Sequence, residues 1–130
     1  MALLLLIHAL LIAWAVAGLA DWLLPRTLWP EVSNPLFPRS VLLLQWLFIL
    51  ATAGVFIVGF AFRWPLMPAA TAVGYLAMAS LCAVETFIYL EHRWRFAAMA
   101  LEYATYVAIL LFLFRSGYVA RYMGRAAPAR

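Results

Sequence analysis

Four apolar stretches, residues 2–20, 41–62, 66–90 and 96–114, each interrupted by at most one charged residue, constrain this sequence more than any other feature. A helix needs about 20 residues to cross the hydrocarbon core of a bilayer, and each stretch comes close to or exceeds that length. In lipid every backbone N–H and C=O must find its partner within the protein, which leaves only helices or a closed barrel. Four segments cannot close a barrel, so each is expected to be a helix. Composition agrees: 69% of the 130 residues are hydrophobic and 11% are charged, against roughly 45–50% and about 25% in soluble domains. These values exclude a water-soluble domain, a disordered segment and a nucleic-acid-binding module. The expected fold is all-α: an integral membrane four-helix bundle of antiparallel hairpins forming one domain over residues 1–130.

The first stretch has a rival reading as a signal peptide, because Ala15-Val16-Ala17 resembles a small-residue cleavage site. Its amino end carries no basic residue and its apolar core exceeds the usual 7–15 residues, so a membrane span is preferred. Residues 21–40 form a connection holding Pro25, Pro30, Pro35 and Pro38, which forbid a long helix there. With Trp22, Trp29, Leu36 and Phe37 it is expected to lie along the interface. The turns at residues 63–65 and 91–95 are short, which makes the helices they join antiparallel neighbours.

All nine basic residues are arginines. Arg63, Arg115, Arg121, Arg125 and Arg130 fall on one side of the predicted topology, and Arg26, Arg39, Arg93 and Arg95 on the other. The basic tail, residues 115–130, decides the orientation: both termini are expected in the cytoplasm, in a bacterial inner membrane. The lone cysteine, Cys82, excludes a disulfide framework and any CxxC motif.

The informative residues are the polar ones inside the apolar stretches. His8, Gln45, Glu85 and Glu102 fall within them, and Asp21 stands at the end of one. Ionisable groups at membrane depth are costly and usually face a bundle interior. Glu85 and Glu102 are equidistant from the turn near Arg93 and Trp94, so an antiparallel hairpin sets both carboxyls at one depth. Spacings of three and four place Thr71, Tyr75, Met78, Cys82, Glu85 and Tyr89 on one face of the third helix. The same rhythm aligns Arg95, Met99, Glu102, Tyr106 and Ile109 on the fourth, and Gln45, Ile49, Thr52, Phe56 and Gly59 on the second. Ala100, Ala104 and Ala108 mark a different face of the fourth helix, suited to close helix contact. Together these patterns predict a polar pocket lined by Gln45, Glu85, Tyr89, Glu102 and Tyr106, with Asp21 and Trp46 nearby. Two carboxyls at one depth in lipid do not both ionise, so they are expected to share a proton.

Plainer readings stand beside this one. Either glutamate could snorkel to the headgroups or pair with Arg93 or Arg95. His8 is expected to form a hydrogen bond between helices, and His92 to be a solvated turn residue. Glu85, Glu91, His92 and Glu102 bring a di-iron site to mind, but the chain has no Glu-x-x-His; no metal and no cofactor are expected. Cys82 is expected to be inert packing, and Trp22, Trp29, Trp64, Trp94 and Tyr118 to anchor the interfaces.

Two segments resemble the emopamil-binding (EXPERA) family, which includes the sigma-2 receptor and sterol isomerases. They are Asp21 followed by Leu24-Pro25-Arg26-Thr27-Leu28-Trp29-Pro30, and Phe114-Arg115-Ser116-Gly117-Tyr118 ahead of the tail. The resemblance implies a four-helix membrane bundle with an intramembrane cavity for sterol-like ligands, and gives Asp21 the place of the family's acid at the end of the first span. Gln45 stands where the family has a second-span acid, and the third span holds no histidine.

The leading expectation is an intramembrane binding protein for an apolar small molecule with a polar head, such as a sterol, isoprenoid or quinone. Its partners would be membrane lipid and that ligand, and it would exist alone, as a homodimer or in a larger complex. The alternatives are a structural or accessory subunit of a larger membrane complex, and an isomerase or cyclase using Glu85 and Glu102 for proton transfer. A proton-coupled transporter is a further alternative, which four short spans would reach only by dimerising.

Overall fold

The structure, a computed structural model, describes residues 1–24 and 38–124, and over these it is all-helical. Helix α1 spans Ala2–Leu23, α2 Arg39–Ala61, α3 Met67–Val84, α4 Arg95–Arg115 and α5 Gly117–Tyr122. A π-helical turn, Glu85–Tyr89, extends α3, so four helical segments are long and apolar enough to cross a membrane. Two boundaries differ from expectation. α1 continues through Asp21 to Leu23, and α2 begins at Arg39, so both helices intrude into the predicted connection. The prolines and aromatics expected along the interface between positions 25 and 37 lie outside the described residues, as does the tail beyond Gly124.

Side chains at the helix ends fix the hairpins. The Trp22 indole N–H donates to the Arg39 carbonyl at 3.1 Å, and the Arg39 guanidinium donates to the Trp22 carbonyl at 2.8 Å. That reciprocal clasp sets the end of α1 against the start of α2, and the Arg39 cation also lies 5.0 Å from the Trp22 ring centroid. At the other end of α2 the chain turns at Arg63, which has a left-handed φ of 51°. The Trp64 N–H bonds the Gly59 carbonyl at 2.8 Å and the Arg63 N–H bonds the Phe60 carbonyl at 3.1 Å. This is the Schellman pattern, with arginine where glycine is usual.

Helix α2 packs along both α1 and α3, and α4 lies beside α3. Small residues allow the close contacts. A Cβ at Gly18 would strike the Trp46 ring, and one at Gly74 would strike the Thr52 side chain. The expected inward stripe of α2 is buried at Ile49, Thr52, Phe56 and Gly59, and that of α3 at Thr71, Tyr75 and Glu85. On α4 the polar stripe turns toward α3, so the alanine face turns outward, and Ala100, Ala104 and Ala108 are exposed.

The packed core occupies one end of the molecule. Phe56, Met67, Tyr75, Ile109, Leu113, Val119 and Met123 form a buried cluster, against which Met1, Leu4 and Leu5 pack. The amino terminus, the Arg63 turn and α5 therefore share that end. The segment expected only as a basic tail folds back here. Ser116 leaves the helical conformation and caps α5, accepting from the Val119 N–H at 3.4 Å, which delivers Val119, Ala120 and Met123 into the core. Tyr122 stacks on Phe60 at 4.7 Å between centroids, and the Arg63 cation lies 5.0 Å from the Tyr122 ring.

Close packing at Gly74 yields a test. Gly74→Ala should drive Thr52 outward and cost about 1–3 kcal/mol as overpacking, seen as a lower unfolding temperature in detergent. Gly54→Ala, where a Cβ meets nothing within 4 Å, should leave that temperature unchanged or slightly raised.

Candidate functional site

The end of the bundle away from the packed core is where the polar residues gather. Glu85 opens the π-helical turn, whose wide ring is closed by the Leu90 N–H bonding the Glu85 carbonyl at 2.9 Å. A turn of this kind accommodates one surplus residue and recurs at functional sites. Here two consecutive side chains, Glu85 and Thr86, are both buried, at 8% and 1% exposure. The Glu85 Oε1 atom is buried without a hydrogen-bond partner.

Glu102 reaches the same place from α4, and its two oxygens are each engaged. The Tyr106 hydroxyl, one turn along α4, donates to Oε1, and the Cys82 thiol donates to Oε2 at 3.2 Å. Cys82 Sγ also lies 3.9 Å from the Thr86 hydroxyl. Between the two carboxyls lies a cavity of about 40 Å³ lined by Gln45, Phe48, Ile49, Met78, Leu81, Cys82, Glu85 and Glu102. A water needs about 10–15 Å³ of such space, so the cavity has room for a small polar group and not for a ring system.

A second polar group lies deeper, between the cavity and the packed core. The Tyr106 ring stacks on Tyr75 at 4.5 Å between centroids. His8 Nδ1 donates to the Leu4 carbonyl at 2.7 Å, which leaves Nε2 to accept from the Tyr75 hydroxyl at 2.9 Å. The imidazole is fully buried and lies flat on Phe56, with centroids 3.7 Å apart. His8 thus makes the hydrogen bond between helices that its place in an apolar stretch suggested.

Of the residues expected at the pocket, the structure brings Gln45, Glu85 and Glu102 to the cavity wall, with Tyr106 bonded behind Glu102. It does not bring the others. Tyr89 is half-buried at the end of the π-helical turn, and Asp21 is half-buried near the end of α1. Neither lines the cavity. Trp46 packs over Gly18 and beside Trp14, with ring centroids 6.3 Å apart, so it serves the contact between α1 and α2. Cys82, expected as inert packing, instead lines the cavity and holds Glu102. Its place on the same stripe as Glu85 was the available signal. Tyr103, whose hydroxyl donates to the Ala79 carbonyl at 2.6 Å and ties α4 to α3, fell outside the stripe and gave none.

Among the described residues no arginine pairs with either acid. Arg93 lies over Trp94 at 4.9 Å, and Arg95 donates to the Leu90 carbonyl and lies over Phe96 at 4.8 Å. Among the described residues no three histidines, cysteines or carboxylates group as metal ligands. What remains is an apolar-walled niche presenting two carboxyls, one with a donor on each oxygen and one with an unpartnered oxygen, and a carboxamide. No family model, curated protein or solved structure matches the chain.

Removing the Tyr75 hydroxyl should strand His8 Nε2 in a dry setting, at a cost of about 1–3 kcal/mol. Tyr75→Phe should therefore lower the unfolding temperature in detergent more than Tyr103→Phe, whose lost partner is a carbonyl on a half-buried helix.

Proposed function

We propose that this chain is an integral membrane bundle that binds an apolar small molecule by its polar head, a sterol, isoprenoid or quinone type of ligand, in the carboxyl-lined cavity. The observation that carries this reading is the unpartnered, buried Glu85 oxygen at the wall of that cavity. An unpaired buried polar atom costs about 1–3 kcal/mol, a cost that a bound head group removes. The cavity of about 40 Å³ admits the head alone. The body of the ligand then lies among the apolar side chains the helices expose, which include Leu44, Leu47 and Leu101. Such a division, a few convergent polar groups with apolar surroundings, is common for ligand sites between helices.

The same reading places the chain in a bacterial inner membrane with both termini cytoplasmic. It is supported by Arg63, Arg115 and Arg121 sharing the end that holds the amino terminus. It also accommodates the emopamil-binding resemblance, with the pocket moved from Asp21 to the two glutamates. Should the ligand be turned over, the open Glu85 and the saturated Glu102 are the donor and acceptor that an isomerase or cyclase requires.

A second reading, membership of a homodimer or a larger membrane complex, draws on the exposed Ala100, Ala104 and Ala108 face of α4. Small residues four apart let another helix approach closely in lipid.

Photolabelling separates these readings. Diazirine-bearing sterol, isoprenol and quinone analogues should, for at least one class, label peptides containing Gln45, Glu85 or Glu102. Met78→Trp, which fills the cavity, should reduce that labelling by about tenfold, equivalent to roughly 1.4 kcal/mol of binding. Labelling confined to exposed positions of α1, and indifferent to Met78→Trp, would remove the ligand-binding reading. If α4 docks on a partner helix, Ala104→Trp should convert the assembly to monomer on sizing in mild detergent and leave cavity labelling intact.

A further inference from the structure

Resting on the binding reading above, we infer that the cavity selects an uncharged hydrogen-bond acceptor, the carbonyl oxygen of a ketone or quinone, and that Glu85 supplies the donor. The two carboxyls are not equivalent. Glu102 receives one donor on each oxygen, from Tyr106 and from Cys82, so both of its oxygens already act as acceptors. Glu85 receives none at Oε1 and sits at 8% exposure. Among the described residues no arginine is engaged with either acid, and two anions lining one cavity at this depth are not sustained, so the pair holds a single proton. That proton belongs on Glu85, whose buried Oε1 has no donor.

A protonated carboxyl is a donor as well as an acceptor. Glu85 then offers an O–H to the cavity, and Gln45 on the facing wall adds the N–H donors of its carboxamide. The remaining walls are Phe48, Ile49, Met78 and Leu81, which offer no strong acceptor or donor. A head that accepts pairs with the Glu85 O–H and a Gln45 N–H at once. A carbonyl oxygen has two lone pairs for two donors and is small enough for a niche of about 40 Å³. An ammonium head brings three donors and no acceptor, and would need Glu85 ionised beside Glu102.

Three diazirine probes with one alkyl chain and different heads, a methyl ketone, a primary amine and a plain hydrocarbon end, test the assignment on the full chain in detergent micelles. The methyl ketone should label Gln45, Glu85 or Glu102 peptides about tenfold more than the hydrocarbon, the loss expected when buried polar groups go unpaired. Glu85→Gln keeps a donor of the same shape and should hold ketone labelling within about threefold, whereas Glu85→Leu should lower it by about tenfold. Gln45→Leu should lower it as well, which keeps the test standing should Glu85→Leu fold poorly. Stronger labelling by the amine than by the ketone in the unmutated chain would overturn the carbonyl assignment alone. So would a loss in Glu85→Gln equal to that in Glu85→Leu. Failure of every probe, and of the sterol, isoprenol and quinone analogues, to reach the cavity would overturn the binding reading itself.

Discussion

A carboxyl group on an apolar helix has to be held by something, and in this chain the holders are a phenol and a thiol. Tyr106 and Cys82 each give Glu102 one hydrogen bond, from α4 itself and from α3 across the interface. The second bond joins the two helices, so satisfying the carboxyl and docking α4 are one interaction. Tyr103, bonded to the Ala79 carbonyl, adds a second polar tie between the same helices. Between helices in lipid, where apolar contact brings little advantage over contact with acyl chains, hydrogen bonds and close packing decide which faces meet. The polar stripe of α4 therefore turns toward α3 and its alanines turn away.

The two ends of the molecule divide the labour. At the end holding the amino terminus, Phe56, Met67, Leu113, Val119 and Met123 fill the interior, and α5 closes it. At the other end Gln45, Glu85 and Glu102 surround unfilled space. His8, Tyr75 and Tyr106 lie between, joined by a hydrogen bond and a stacked ring pair.

Much of this was legible in the sequence, and for simple reasons. The four long helices followed from apolar length, although α1 and α2 run past the expected limits, and helix facing followed from the three-and-four spacing that includes Glu85 on α3 and Glu102 on α4. The equal distance of the two acids from the Arg93 turn correctly brought them to one cavity with Gln45. Other features depend on facts that spacing does not carry. Trp46 was drawn into the pocket by its neighbour Gln45, whereas adjacent residues on a helix point about 100° apart, and the bare surface of Gly18 receives the indole instead. Tyr89 was placed by α-helical phase, which stops applying at Glu85. Cys82 was judged by its apolar surroundings, although its spacing from Glu85 had already put it beside the acids. The fold-back of α5 was hidden because its arginines dominate the composition of the tail, while Val119 and Met123 decide where it goes.

The π-helical turn at Glu85–Tyr89 matters beyond the aim of one side chain. Its ring holds one amino acid more than an ordinary helical turn would, so the hairpin leading to α4 starts about 100° around the axis, and about 1.5 Å along it, from where a regular helix would release it. The chain's length between Val84 and Leu90 is thereby bound to the alignment of two neighbouring helices. A deletion of one residue between Glu85 and Leu90 would leave Gln45, Cys82 and Glu85 in place and change where the chain departs for α4 and Glu102, so relatives that share this arrangement should be sought by conserved length as much as by conserved letters.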